Sequence, residues 1–296
     1  LAVLCGRGDF KRAAGRCWEE TLWFLGPQAL AAFDAVTVPA TAPRSEAFPE
    51  GGFYVLRHRD THLFLDCGDV GMRGIGGHGH NDILSFELVL AGMPLVTDSG
   101  AYLYTASKEW RNRFRSTAFH ATIEVDEQEV NRFVGPDMLW QMRPDANPQD
   151  VVWRVEDGRT RFRGSHGGYV RLEQPVRVTR EVVLAGDAEP IVGVADVIDG
   201  VGEHRAVWRF PLEPGVAVEL YGQDVRLYSS AGERWLLPLS GGMPGGWAVE
   251  PGWVSPSYGV RHETRVLTAR AAGTVPLRAV YLFTMSRQAA DVRAAH

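Results

Sequence analysis

From residue 53 onward, the chain consists largely of short runs rich in β-branched and aromatic residues, separated by turns that contain Gly and Asp. Such residues favour extended backbone, and Asp-Gly pairs, as at 157–158 and 199–200, favour the tight turns between strands. Runs of this kind occupy 53–56, 62–66, 151–155, 169–172, 177–184, 206–210, 216–220 and 279–283. Their close spacing, with few helical patterns between them, is typical of a β-sandwich rather than of alternating β and α units. The sequence therefore predicts a mainly β fold with a large antiparallel β-sandwich.

The first 37 residues have a different pattern. Apolar side chains recur at spacings of three to five from Trp18 to Val36, which predicts one or two amphipathic helices broken around Gly26 and Pro27. A stretch rich in Pro, Gly, Thr and Ser follows at 38–52 and is typical of a linker. We therefore expect a short helical segment at 1–37, a linker at 38–52 and the sandwich at 53–296.

Composition excludes several classes of protein. A formal net charge of −5 over 296 residues gives no electrostatic basis for binding nucleic acid. No apolar stretch approaches the roughly 20 residues of a membrane-spanning helix, so no membrane span is expected. The three cysteines lack CxxC spacing, which argues against both a disulfide framework and a cysteine zinc site. The chain begins at Leu1 rather than Met, which suggests a fragment or a processed chain.

Residue types that bind metals converge at one place in the sequence. His78 and His80 are separated by one glycine, Asp82 follows, Asp98 ends the next hydrophobic run, and His120 comes soon after. Two imidazoles and one carboxylate can fill three of the four tetrahedral positions around zinc. A hairpin formed by 86–90 and 94–98 would bring Asp98 back toward the segment that begins after Asp82. One histidine alone would be interpreted as an ordinary loop residue, but this combination favours a metal site.

The same region resembles a known family. The motifs are Gly-His-Gly-His-Asn-Asp at 77–82, Ser-Phe-Glu-Leu at 85–88, Gly-Met-Pro-Leu-Val-Thr-Asp-Ser-Gly-Ala-Tyr-Leu-Tyr at 92–104, and Phe-Arg-Ser-Thr-Ala-Phe-His-Ala-Thr at 114–122. In order and residue type they are similar to the heparinase II/III family of polysaccharide lyases, which includes relatives acting on alginate. Weaker similarity continues through 164–172 and 203–212. In that family an (α/α) toroid precedes a β-sandwich, so the resemblance implies that 1–37 is the end of a toroid.

The resemblance also implies roles for individual residues. His80, Asp98 and His120 would be the metal ligands, with zinc the expected metal, and His78 would face the substrate groove as the catalytic contribution. The metal would be largely structural, fixing the loop that carries His78. Asp82 would support the loop by hydrogen bonding or serve as a fourth ligand. The substrate would be an acidic polysaccharide, and the setting periplasmic or secreted.

Other residues have two interpretations. Tyr102 and Tyr104 are favoured as packing residues over catalytic acids. Lys108 with Arg111, Arg113 and Arg115 is favoured as a solvated helix face over a site for an acidic polysaccharide. Packing is likewise favoured over sugar stacking for three tryptophans, Trp235, Trp247 and Trp253.

Three functions follow from these patterns. The first is the sandwich portion of a polysaccharide lyase that cleaves a uronate-containing glycan by β-elimination. The family's remaining catalytic residues, a tyrosine and an Asn or His partner, lie on the toroid, so the resemblance leaves open whether this chain is active by itself. The second is a noncatalytic module for carbohydrate binding or exopolysaccharide assembly. The third is a zinc hydrolase, which is weakened because no general-base Glu accompanies the paired histidines, as in HExxH.

Overall fold

A computed structural model describes residues 1–40, 43–186, 189–239 and 245–288. The chain divides into two compact units, Leu1–Arg44 and Ser45–His296. Residues 41–42 of the expected linker lie outside the described residues, as do 187–188, 240–244 and 289–296 of the expected sandwich. No helix in the described part of the chain is long and apolar enough to cross a membrane.

The first unit contains four short helices where the sequence predicted one or two. They are α1 (Ala2–Cys5), α2 (Gly8–Ala14), α3 (Glu19–Leu25) and α4 (Gln28–Ala35). The predicted break around Gly26 and Pro27 is confirmed, because Gly26 ends α3 with a φ of 79° and Pro27 precedes α4. Such positive φ values are readily adopted only by glycine, so the chain turns there and cannot continue as one helix.

The second unit is built from strands, as predicted, although the run at 169–172 forms turns instead of a strand. The strands are β1 (Glu46–Phe48), β2 (Phe53–His58), β3 (Thr61–Asp66), β4 (Phe86–Leu90), β5 (Met93–Val96), β6 (Ile123–Val125), β7 (Pro148–Glu156), β8 (Arg159–His166), β9 (Val176–Ala185), β10 (Ile191–Gly200), β11 (Glu203–Pro211), β12 (Ala217–Tyr221), β13 (Asp224–Ser229), β14 (Gly232–Pro238), β15 (Trp247–Ser257), β16 (Val260–Thr274) and β17 (Leu277–Thr284). One helix, α5 (Lys108–Phe114), and two 3₁₀ turns, Met72–Gly74 and Thr117–Phe119, lie between them.

The strands form three antiparallel sheets. The five-stranded sheet has the order β1-β2-β3-β4-β5, and the eight-stranded sheet has the order β12-β13-β14-β17-β10-β9-β8-β7. The four-stranded sheet has the order β15-β16-β11-β6. Residues 38–52, expected to form a linker, include β1, whose pairing with β2 makes that part an edge of the first sheet.

One hydrophobic core joins the three sheets. It includes Leu63 of the five-stranded sheet, Val194 of the eight-stranded sheet and Trp208 of the four-stranded sheet, each almost completely buried. Alternation along β9, where every second residue from Val176 to Leu184 is buried, shows how a period of two directs one strand face inward. Burial of each large apolar side chain of this kind stabilises the fold by about 1.5–3 kcal/mol.

Two predicted hairpins position the candidate site. β2 and β3 are joined at Arg59 and Asp60, and β4 and β5 are joined at Ala91 and Gly92. Ala91 and Gly92 have φ values of 46° and 77°, the left-handed pair of a tight turn that matches strand twist. The chain therefore reverses within two residues and continues from β5 into Asp98.

A polar cluster lies within the apolar core. The guanidinium of Arg180 donates from Nε and Nη2 to the two carboxylate oxygens of Asp196, at 2.7 and 2.9 Å, and both side chains are fully buried. Asp196 also accepts from Tyr281 Oη at 2.9 Å and from Trp208 Nε1 at 3.0 Å. Because every polar atom of Asp196 has a partner, its charge can be retained inside the core.

Candidate metal and catalytic loop

The segment between β3 and β4 carries both histidines of the HGH motif. Backbone bonds between Asp66 and Leu84 and between Asp66 and Ser85 close the base of the loop, so 67–83 leaves and re-enters the sheet at one place. Gly79 separates the two histidines. A Cβ atom at this position would lie 2.4 Å from the carbonyl oxygen of Val70, so only glycine fits without displacing the backbone. The loop is therefore held tightly at the residue between the two imidazoles.

Asn81, the next residue of the motif, is completely buried and fully bonded. Its Nδ2 donates to Glu129 Oε2 at 2.7 Å and to the Asn131 carbonyl at 2.9 Å, while its Oδ1 accepts from the Asn131 amide at 3.1 Å. Its own amide donates to the Arg115 carbonyl at 2.9 Å. These bonds fix the backbone between His80 and Asp82.

The predicted ligand residues come together, although they are distant in sequence. Potential ligand atoms of His80, Asp82 and His120 all lie within 4.8 Å of one another. The rings of His80 and His120 have centroids 5.2 Å apart. Asp98 joins this cluster through His120, whose Nδ1 donates to Asp98 Oδ2 at 2.8 Å. The structure thus places Asp82 beside the histidines and Asp98 against one of them.

The cluster is strongly acidic. Asp66, Asp82, Glu87 and Asp98 all line one cavity of about 90 Å³. Burial, followed by the charge of Asp82, raises the pKa of Asp66 to about 7. Burial is also the main reason that the pKa values of Asp82 and Glu87 are raised. Several carboxylates that line one small cavity favour a bound cation or a proton.

The two imidazoles have opposite electrostatic surroundings. Burial lowers the pKa of His120, but the adjacent charges of Asp98 and Asp82 outweigh it and raise the value to about 9. Burial, together with the charge on His120, lowers the pKa of His80 to about 3. Burial raises the pKa of Asp98, but the positive charge and hydrogen bond of His120 outweigh it and lower the value. His80 is therefore neutral at neutral pH, which is the form that binds metals.

Two arginines of α5 correct the expectation of a solvated helix face. Arg111 and Arg115 have no exposed surface, whereas Arg113 is exposed. Residues 111 and 115 are four apart and share one helix face, and that face is turned inward. Arg111 Nη1 donates to His80 Nε2 at 2.8 Å, and Arg115 donates to the carbonyls of Leu139 and Gln141 at 3.0 and 3.3 Å. These guanidinium groups bind loop carbonyls and an imidazole instead of water.

His78 lies apart from the acidic cluster. Its side chain is exposed, and its ring makes edge contacts with Trp140 and Tyr104 at centroid distances of 5.1 and 5.7 Å. The guanidinium of Arg111 lies over Tyr104 at 5.1 Å. Tyr102 packs on Trp110 and Phe114, so both tyrosines pack as predicted. The HGH motif thus sends one imidazole inward and presents the other at the surface in an aromatic frame.

Arg180 connects this site to the core and was not identified from the sequence. Its Nη1 donates to the Leu84 and Ala121 carbonyls, both at 2.6 Å. Leu84 lies two residues after Asp82, and Ala121 directly follows His120. One buried guanidinium therefore fixes both chain segments that supply the cluster. The one sequence signal for this role was a charged residue at a position of an alternating strand that is expected to face inward.

Comparisons with known proteins agree with this architecture. A curated heparin-sulfate lyase from Bacteroides stercoris is 30% identical over 115 residues, covering 36% of this chain and 16% of the lyase. Heparan sulfate lyase HepC from Pedobacter heparinus superposes with a TM-score of 0.67 at 18% identity, covering 90% of this chain and 40% of that one. A structure of heparinase III gives a TM-score of 0.67 at 16% identity, covering 89% and 40%. At these identities the superpositions show a shared fold, and the chain spans well under half the length of each relative.

The protein-family model for the heparinase II/III-like C-terminal domain matches residues 40–294, which is most of the chain. This match includes the hairpins, the loop with both histidines, and all three sheets. The chain therefore belongs to the heparinase II/III-like family and contains its C-terminal domain.

Proposed function

We propose that this chain is the β-sandwich portion of a polysaccharide lyase that cleaves a uronate-containing glycan by β-elimination. The observation that supports this most directly is the division of the HGH motif, with His80 held in a carboxylate cluster and His78 exposed between Tyr104 and Trp140. The names of the relatives, heparin-sulfate lyase and heparan sulfate lyase, support an acidic polysaccharide as the substrate class.

The reaction sets three requirements for the protein. A base removes the proton at C5 of the uronate, an acid protonates the departing C4 oxygen, and a positive group stabilises the charge that develops on the carboxylate. Histidine is the side chain that most often performs such proton transfers, and an exposed imidazole can also hydrogen-bond to the carboxylate. We assign this contribution to His78. The remaining groups would come from an (α/α) toroid, of which we propose residues 1–37 to be the end, joined through 38–52 to the sandwich at 53–296.

We further propose that a divalent metal, most suitably zinc, binds beside the HGH loop. His80, Asp98 and His120 are the proposed ligands, and the position of Asp82 makes it a further candidate. The donor set suits the ion, since imidazole nitrogen and carboxylate oxygen are common zinc ligands. His120 Nε2 is buried and has no hydrogen-bond partner among the described residues, as a ligand atom would be. Arg111 donates to His80 Nε2, so a metal bound through that atom would replace this bond.

When bound, the ion would supply positive charge that offsets the carboxylates and stiffens the loop carrying His78. The residues of the chain then account for the rest of the arrangement. Asn81 fixes the backbone after His80, and Gly79 holds the loop against Val70. Tyr104 and Trp140 limit the orientations of the His78 ring, which lowers the cost of ordering it against a substrate.

The test is an assay of the natural full-length protein with uronate-containing polysaccharides, monitoring the ultraviolet absorbance of unsaturated uronate ends. His78→Ala is compared with His262→Ala, a matched exposed histidine on β16. Loss of the absorbance signal in the first variant alone supports the lyase function. Cleavage that yields saturated ends indicates a hydrolase, and glycan binding without cleavage in the unmodified protein indicates a noncatalytic module.

A further inference from the structure

A second concave site lies on the face of the four-stranded sheet opposite the hydrophobic core. Its cavity has a volume of about 330 Å³. On β11 it is lined by Arg209, while the neighbouring Phe210 points into the core. The roof is formed by Arg113 of α5 and by Phe119 of the following 3₁₀ turn. This volume falls within the roughly 300–1,000 Å³ of sites that bind small molecules.

The aromatic walls of this pocket are held by their own neighbours. The Trp253 indole has the guanidinium of Arg261 at 4.1 Å from its ring centroid and Trp110 edge-on at 6.3 Å. Phe119, on the opposite element, packs on Phe114 at 5.0 Å. Because these rings are already ordered, a ligand that stacks on them would lose little affinity to side-chain ordering. Trp253 is partly exposed, unlike the buried Trp235 and Trp247, so part of its surface remains open to a ligand.

The charged groups of the pocket differ in how firmly they are paired. Arg209 lies 3.2 Å from Glu124, and both side chains are less than one-fifth exposed. Glu250 pairs with Arg270 at 2.5 Å. Arg113 is 51% exposed, and its nearest carboxylate, Glu109, is 3.6 Å away. Arg113 is therefore the cation in this pocket that is most available to a ligand.

One side of the pocket is largely apolar. Pro251, Gly252 and Val266 form it, and a Cβ atom at residue 252 would lie 2.4 Å from Val266 Cγ2. The absence of a side chain at this position leaves the apolar surface open between the aromatic wall and the charged groups. An apolar surface beside an indole ring suits the C–H face of a pyranose, while the surrounding polar groups suit its hydroxyls.

We propose that this pocket binds one acidic saccharide unit of a glycan. The sugar ring stacks on Trp253 and Phe119, its carboxylate or sulfate pairs with Arg113, and Glu250 accepts hydrogen bonds from its hydroxyls. The choice of an acidic saccharide rests on the proposed function, whereas the pocket itself does not include His78. Ser99 and Phe119 of its wall directly adjoin Asp98 and His120, and Ser99 Oγ donates to the Phe119 carbonyl at 2.5 Å. A bound saccharide would therefore contact the outer side of the segments that hold the acidic cluster.

The experiment is calorimetric titration of the 296-residue chain with an unsulfated oligosaccharide that contains glucuronate, and with its carboxyl-reduced counterpart. We expect Arg113→Gln to weaken binding of the acidic form by on the order of tenfold, while the reduced form binds weakly to all proteins. Trp253→Phe keeps an aromatic ring beside Arg261 and should weaken the binding of both oligosaccharides. Arg205→Gln, an exposed arginine farther along β11, is the matched control and should bind as the unmodified chain does.

The possible outcomes separate this proposal from the lyase function. Binding that falls in Arg113→Gln but not in His78→Ala supports the pocket, whether or not the full-length protein makes unsaturated uronate. Binding that falls only in His78→Ala, equal binding of acidic and reduced forms, or no binding at all overturns the pocket. If binding falls only in His78→Ala, the proposed lyase function still stands.

Discussion

Asp98 Oδ2 lies 2.8 Å from Nδ1 of His120, and this bond joins the end of one hairpin to a residue 22 positions later. The His120 side chain is fully buried, whereas the Asp98 side chain is 39% exposed. The carboxylate therefore contacts solvent on one side and the buried imidazole on the other. It orients the ring so that Nε2 faces inward without a hydrogen-bond partner among the described residues.

Removing this charge should lower stability by an amount that depends on pH. In metal-free protein, Asp98→Asn should lower the free energy of unfolding by about 1–3 kcal/mol near pH 6. The pKa of His120 is raised from 6.5 to about 9, so the pair stabilises fully below pH 6.5, and this contribution is lost as pH rises through 9. Because the pKa of Asp98 is lowered, the stabilisation is lost on the acid side only as the pH falls below the ordinary value of 3.8. Urea unfolding of both proteins from pH 5 to 10 measures this, and a stability difference that grows with pH would contradict it.

Metal binding should depend on the clustered residues together. Elemental analysis of the purified chain should find about one zinc per molecule, and His80→Ala, Asp98→Ala and His120→Ala should each lose it. At zinc about 100-fold above the Kd, the metal adds about 2.7 kcal/mol, so chelation should lower the Tm by about 5 °C. Asp82→Asn tests whether the carboxylate that lies within 4.8 Å of both histidines also binds the ion. Zinc that persists in all four variants would place the metal elsewhere.

His78 should affect the reaction without affecting the fold. Its side chain is exposed, so His78→Ala should leave the Tm within about 1 °C of the unmodified protein, as expected for surface substitutions. The rate of unsaturated uronate formation by the full-length protein should fall about 10²- to 10⁴-fold, the usual contribution of a positioned acid or base. His262→Ala should change neither quantity. An equal fall in both variants would remove His78 from the mechanism.

The close approach at Gly79 predicts that the loop tolerates no side chain there. Gly79→Ala brings Cβ to 2.4 Å from the Val70 carbonyl oxygen, so the backbone must move, at a cost of about 1–3 kcal/mol. Zinc affinity should fall with it, because His80 is the next residue. Gly135→Ala is the matched control, since its nearest heavy atom would be Met138 Cγ at 3.7 Å. Thermal melts and zinc titrations of both variants provide the comparison, and identical behaviour would show that the loop is not constrained at residue 79.

Arg180 should be essential for stability. Arg180→Met leaves the Asp196 carboxylate buried without its guanidinium, and we expect a loss of about 3–5 kcal/mol. The double variant Arg180→Met with Asp196→Leu removes both charges and should recover part of that loss. If the double variant is as stable as the unmodified chain but binds zinc less tightly, the bonds to the Leu84 and Ala121 carbonyls position the site. Unchanged zinc affinity would limit Arg180 to a structural role.

The sequence predicted those features that local patterns determine. Alternating runs and tight turns identified β2, β3, β4 and β5, and Gly26 with Pro27 identified the break between α3 and α4. Features that depend on tertiary contacts were not predicted. The edge strand β1 lies in a Pro-rich and Gly-rich stretch whose composition resembles a linker, and its pairing depends on β2.

The candidate site shows the same limit. The HGH motif, Asp98 and His120 could be named from residue types and from the open end of a hairpin. The inward orientation of Arg111 and Arg115 could not be predicted. Two arginines four residues apart share one helix face, but the sequence does not show whether that face is buried or exposed until its packing partners are known. The proximity of Asp82 to both histidines likewise depends on how Asn81 bonds to Glu129 and Asn131 across 48 and 50 residues.

The hydrogen bonds of Arg180 also affect how this domain can be engineered. Redesign for heat tolerance commonly replaces interior polar groups with hydrocarbon, because an ion pair inside a protein often adds little to folding. Here such a replacement would release the carbonyls of Leu84 and Ala121 at the same time. A more heat-resistant variant obtained in this way could lose the arrangement of its loops. Screens for thermal tolerance in this domain should therefore keep residues 180 and 196 fixed and vary the purely apolar positions around them.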